Sequence, residues 1–220
     1  MTRMAAQELV EELRGELAPG EAENRLVPLI AAGQLPRSRL AAFACEELAI
    51  VPSDRRSFAF LAARFPESPA GEFFLGLAGG EGLALGHLYA FSRALGLDPR
   101  AVAAHDPAPG CQAYAAYVAW LALNGSRSDV ALAFLTNLEA WGSFCGRTAA
   151  GLREHYGLDD QAVAFFDFFA TSPPGFEEQA CAVVQAGLDA GDDPQRARRA
   201  ARLLQAYELL FWNTLAEGLA

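Results

Sequence analysis

At 220 residues the chain is long enough to bury one sizeable core, and 52% apolar with 20% charged residues excludes a disordered chain. Seventeen basic against 27 acidic residues leave a net charge of −10, which argues against a nucleic-acid partner, whose footprint is a basic stripe. No apolar run reaches about 18 residues without a polar interruption, so no membrane span is expected.

The start, MTRMAAQELVEELRGEL, reads as an acidic amphipathic helix over residues 4–17 and does not resemble a signal peptide. Ala18-Pro19-Gly20 stops it. Gly33 and Pro36 precede a second helix over about 37–50. Pro52-Ser53-Asp54 then reads as a turn, with Ser53 or Asp54 capping a short helix over about 55–65. Ser68-Pro69 opens a helix reaching Leu95, with a kink or break expected at Gly79-Gly80.

Asp98-Pro99 caps a short helix before the Pro-rich loop at 106–110. A helix over 111–123 follows, and Ser128 or Asp129 starts a long one ending near residue 156. Residues 159–170 form a further helix, and Ser172-Pro173 opens one that ends near Asp189. Strand signals are nearly absent, no fixed-period repeat occurs, and no linker divides the chain. The expected architecture is one all-α bundle spanning residues 1–220.

The last helix, residues 196–217, organises the rest. At about 100° per residue Leu203, Leu204, Tyr207, Leu210, Phe211, Thr214 and Leu215 share a face, with Arg198, Arg202, Gln205 and Asn213 opposite. Trp212 widens the apolar arc, and Glu208 falls inside it. A carboxylate among Leu, Phe and Trp needs a hydrogen-bond partner, structural or ligand. The basic cluster Arg196, Arg198, Arg199 and Arg202 reads as a solvated face.

Three segments then resemble the TenA / pyrroloquinoline-quinone-synthase group: residues 29–65, residues 138–170, and RLLQAYELLFWNTL at 202–215. Tyr207-Glu208 and Phe211-Trp212 match the Tyr-Glu-x-x-Phe-Trp end of TenA proteins, and the resemblance runs over roughly residues 20–218, leaving the first 20 least covered. It implies a haem-oxygenase-like all-α fold and a small-molecule ligand. It also implies hydrolysis at the methylene carbon of a thiamin-related aminopyrimidine, without a bound cofactor, and a homo-oligomer, dimer or tetramer. Glu208 matches the catalytic last-helix Glu. Glu47 falls at the ring-binding acid, and Tyr114 at a pocket tyrosine. Asn137 and Trp212 complete the implied substrate-binding set.

Thr136-Asn137 stand where the family carries its nucleophilic Cys, and Ile50 stands at a second-helix tyrosine. Cys145 lies two turns on, about 12 Å at 1.5 Å per residue.

On the residues alone, a buried Glu208 with a raised pKa suits proton shuttling, or it pairs with a core Arg or Tyr. Glu46 and Glu47 point about 100° apart, so only one is expected to face the core, Glu47 by its neighbours. Tyr114 and Trp120 are pocket walls or ordinary core aromatics. Cys45, Cys111, Cys145 and Cys181 stand singly, without zinc-site spacing, and read as reduced core thiols of a cytoplasmic protein.

A di-iron oxidase needs clustered Glu, Asp and His; with only His87, His105 and His155, and Glu81 six residues from His87, no metal site is expected. A haem site lacks an early His. The other readings on this scaffold are a non-catalytic small-molecule binder or regulator, and a cofactor-free or metal-dependent oxidase. No basic helix-turn-helix for DNA is present.

Overall fold

Helix formers dominate between the Pro and Gly punctuation, and the chain follows that punctuation into ten helices and no strand among the described residues. The computed structural model describes residues 5–18 and 23–219. The helices are α1 (Ala6–Leu17), α2 (Leu26–Ala31), α3 (Arg37–Arg64), α4 (Ala70–Ala94), α5 (Pro99–Ala103), α6 (Pro109–Asn124), α7 (Arg127–Tyr156), α8 (Asp160–Ala170), α9 (Phe176–Asp189) and α10 (Pro194–Leu215). The expected start of the first helix at Met4 and its Pro19-Gly20 stop lie outside the described residues.

The starts are set by short polar side chains. Asp98 accepts the Ala101 N–H at 2.7 Å, Asp159 the Ala162 N–H at 2.9 Å, and Asp193 the Gln195 N–H at 2.9 Å. Ser126 and Asp129 exchange a capping box at the head of α7, so the helix begins before the expected Ser128 or Asp129. Gly157, at φ +67°, closes α7 in the left-handed region.

Three local expectations are corrected, and one helix, α2, is absent from the sequence reading. α3 continues through Pro52, where the sequence predicts a turn. An interior proline costs about 3 kcal/mol, and α3 recovers this by packing along both α4 and α6. α4 likewise passes Gly79-Gly80 without a break. The six-residue α2 carries no helix signal strong enough to stand alone. Its Leu26, Val27 and Ile30 are buried against α7, and Asn24 Oδ1 accepts the Leu26 and Val27 N–H groups at 3.1 and 3.0 Å. α9 starts at Phe176, after Gly175 turns the chain at φ +76°, rather than at Ser172-Pro173.

α3 and α4 form a long antiparallel pair, α7 touches α2, α8, α9 and α10, and α10 packs between α6 and α7. Two apolar clusters result. One gathers Phe43, Phe91, Phe144, Phe166, Phe211 and Trp212; the other gathers Leu9, Leu13, Phe58, Phe74, Leu132 and Leu204. Tyr114 of α6 packs on both.

The α10 face also differs from its helical-wheel reading. Gln205 is buried, whereas Leu203 and Leu210 are exposed, because the helix turns Leu204, Glu208, Phe211, Trp212 and Leu215 inward. Nor is its basic cluster simply solvated. Arg196 pairs with the buried Asp129 at 2.9 Å, and Arg198 pairs with Glu12 and Glu16 of α1.

Candidate functional site

Between the two clusters lies a cavity of about 250 Å³. α3 supplies Glu47, Ile50, Val51, Asp54 and Phe58, the i, i+3, i+4, i+7, i+11 stripe of one continuous helix face. α4 supplies Phe73, Gly76, Leu77, Gly80 and Glu81 in the same way, and α7 supplies Phe134, Asn137, Leu138 and Trp141. Tyr114 comes from α6, Phe168 and Phe169 from α8, and Glu208 and Phe211 from α10. A Cβ at Gly76 would meet nothing within 4 Å, so that bare helix face is part of the open space.

Four carboxylates line one apolar cavity, and none of the residues lining it is Arg, Lys or His. Their environment raises three of them, Glu47, Asp54 and Glu81. Burial first, then Glu81, Glu208 and Glu46, pushes Glu47 well above the usual carboxylate range. Burial, then Glu81 and Glu47, does the same to Asp54. Burial alone carries Glu81 up to about 8. Tyr114, on the same cavity wall, is raised by burial first and then by the charges of Asp54, Glu208, Glu81 and Glu47. Carboxyls that keep their protons both donate and accept hydrogen bonds, so this wall matches a ligand that offers both.

The chain's membership follows from its sequence profile. The TENA/THI-4/PQQC family profile matches residues 25–217. The chain belongs to this family. Its fold is that of a TenA homologue from Pyrococcus horikoshii OT3, at a TM-score of 0.74 and 14% identity over 96% of this chain and 98% of that one. A TenA homologue from Pseudomonas syringae pv. tomato superposes at 0.76 with 13% identity, over 99% and 97% of the two chains. A haem-oxygenase-like domain of unknown function from Shewanella denitrificans gives 0.75 at 11% identity, over 97% and 93%. At such identities the likeness is one of fold. No curated protein sequence matches the chain.

Of the residues that the TenA resemblance singles out, Glu208, Glu47, Tyr114 and Asn137 line the cavity. Glu208 is 2% exposed and sits at the centre of the inward face of α10. Asn137 is buried and donates from Nδ2 to Gln205 Oε1 at 3.0 Å, while Thr136 turns its hydroxyl to the Leu132 and Ala133 carbonyls. Asn137 rather than Thr136 therefore faces the main cavity.

Trp212 is not on the wall. It is fully buried in an aromatic nest, its ring 5.4 Å from Phe43, 5.3 Å from Trp141 and 5.7 Å from Phe144, and its neighbour Phe211 takes the wall position. One residue of helical rotation, about 100°, separates the two roles.

Glu46 and Glu47 are both buried, against the expectation that only one faces inward. Glu46 turns toward the α5–α6 connection, where Ala108 N–H donates to it at 2.8 Å, His105 Nε2 lies 2.8 Å away, and the Gln112 amide donates as well. Cys145 is fully buried and is not a lining residue; burial, then Glu47 and Glu208, raises its thiol well above the ordinary value. It is a core side chain, not an activated nucleophile. His155 Nε2 donates to the Ala31 carbonyl oxygen at 3.0 Å, and His87 lies beside Phe168. Among the described residues no three of His, Cys, Asp and Glu converge as a metal site, and no helix is long and apolar enough to cross a membrane.

Sequence reasoning missed Asp54 and the aromatic walls, and weighed Glu81 only as a metal ligand. The spacing Glu47-Ile50-Val51-Asp54-Phe58 carried the signal, but reading Pro52 as a helix stop hid it.

Proposed function

We propose that the chain acts on a thiamin-related aminopyrimidine as a cytoplasmic hydrolase of the pyrimidine methylene carbon. The observation that carries this reading is the convergence of Glu47, Tyr114, Asn137 and Glu208, from four different helices, on one cavity in a chain of this family. Glu208 and Glu47 hydrogen-bond the ring's amino group and nitrogen, and the aromatic walls sandwich the ring. Glu208 moves the proton. An aminomethyl substrate exchanges its C–N bond for a C–O bond from water, and ammonia leaves with the transferred proton. With no cysteine on the wall, water rather than a thiolate is the nucleophile.

The test is mass-spectrometric turnover of thiamin and of an aminomethyl-aminopyrimidine. Hydroxymethylpyrimidine is expected from wild type, with a loss of about 100-fold or more in Glu208→Gln. Absence of product from both compounds rejects the hydrolase.

A second reading, a ligand-binding protein without catalysis, is favoured by the amide of Asn137 where the family carries its thiol. It predicts a ligand-induced rise in melting temperature with no product. The self-association implied by family membership is assigned to the α6–α10 surface. There Trp120 stacks on Tyr117, Tyr117 meets Tyr207, and Leu123, Leu203 and Leu210 are exposed.

A further inference from the structure

The aminopyrimidine reading leaves two of the four wall carboxylates unused. Asp54 lies seven residues along α3 from Glu47, and Glu81 faces the same space from α4. Asp54 is 4% exposed, yet its Oδ1 has no hydrogen-bond partner among the described residues. A buried acceptor left unmade costs about 1–3 kcal/mol, more when charged, so an oxygen on a cavity wall calls for a donor carried by the occupant. The protein has no cation to offer from that wall: no Arg, Lys or His lines the cavity, and the chain contains no lysine at all.

The Arg55 guanidinium packs over Gly82 of α4 and is not part of the lining. A metal ion is disfavoured, because no three ligating side chains converge among the described residues. The rest of the wall is aromatic, with Phe58, Phe73, Phe134 and Trp141 offering faces that attract organic cations and accept an apolar body.

We propose that Asp54 and Glu81 form a subsite for a primary ammonium group carried on an aromatic or apolar body. The subsite shares its cavity with Glu47, Tyr114 and Glu208 but does not rest on the identity of the ring held there. An ammonium donates three hydrogen bonds, enough to satisfy Asp54 Oδ1 and to reach a second carboxylate. Charge-assisted bonds of this kind are the strong ones, and in an apolar cavity they discriminate sharply against a neutral isostere.

Titration calorimetry on the full chain at neutral pH tests this with three probes of similar shape: 2-phenylethylamine, 2-phenylethanol and 3-phenylpropionate. The amine is expected to bind about tenfold or more tighter than the alcohol, with the carboxylate weakest. Asp54→Asn and Glu81→Gln should each remove most of that preference while changing alcohol affinity little.

Equal binding of amine and alcohol, no binding of the amine, or a preference intact in Asp54→Asn or Glu81→Gln each overturn the subsite. Competition by stoichiometric Mg²⁺ or Mn²⁺ does so too. Should Asp54→Asn fail to fold, the wild-type probe series and Glu81→Gln still decide. Pyrimidine turnover is scored separately, so amine preference without turnover keeps the subsite and removes the hydrolase. Turnover without amine preference does the reverse.

Discussion

A carboxyl whose folded pKa lies above its unfolded value stabilises the protein in acid and loses that contribution as the pH rises. Glu81, at about 8 when folded against an ordinary 4.5, keeps its proton in the native state where the unfolded chain has already released it. The unfolded state binds fewer protons across that window, so stability falls from about pH 4.5 to about pH 8. Glu47 and Asp54 are raised as well and add the same sign. The melting temperature is therefore expected to drop between pH 5 and pH 8. Glu81→Gln should flatten that slope and melt above wild type at pH 8, and an unchanged slope would place the Glu81 carboxyl in ordinary solvent. Such acids are a stability burden that a binding cavity explains.

Glu46 is the opposite kind of buried acid. Its three donors fix the connection between α5 and α6, and so the entry of the helix that presents Tyr114. Glu46→Ala should remove about 1–3 kcal/mol by leaving the Ala108 N–H and the Gln112 amide without their acceptor. Urea denaturation measures this directly.

At the scale of elements, small residues decide how close the helices come. Gly151 of α7 lies where a Cβ would stand 2.8 Å from the Ile30 carbonyl oxygen and 3.0 Å from Ala31 Cα. Gly151→Ala must push α2 away and is expected to cost about 1–3 kcal/mol. Gly76 of α4 has open space instead, so Gly76→Ala should stabilise by about 0.5–1 kcal/mol through helix propensity. The added methyl would also narrow the cavity. Chemical denaturation of the two variants should therefore move in opposite directions, and movement in the same direction would contradict the packing of α2 on α7.

Pro52 shows the same competition from the other side. A local rule reads it as a stop, and the packing of α3 between α4 and α6 overrides the rule. That override carries Asp54 from the head of a separate short helix to the cavity wall.

For the molecule as a whole, occupancy of the cavity should couple to stability. An occupant that bonds Asp54 and shields the wall acids is expected to stabilise the fold by mass action, by about 2.7 kcal/mol at a hundredfold excess over Kd, and so to raise the melting temperature. A thermal-shift titration reads this without any assumption about turnover.

The helical class, the family, and the inward-facing Glu208 were all legible in the chain, because helix periodicity, capping residues and the Tyr-Glu-x-x-Phe-Trp run are local patterns. The same locality misled where neighbours mattered. Leu203 and Leu210 belong to the apolar arc by periodicity, yet they are exposed, because α6 and α7 approach α10 from the side of Leu204 and Trp212. Trp212 and Phe211, adjacent in sequence, divide core from wall on a rotation no composition reveals.

Which segments coil, and which family the chain resembles, can be read from local pattern, since both depend on residues within a few turns of one another. Only the tertiary structure decided that Glu47, Asp54, Glu81 and Glu208 share one cavity without a cation on its wall. That convergence depends on the distances among α3, α4 and α10. Side-chain packing along their whole lengths sets those distances, and no single stretch of the chain encodes them.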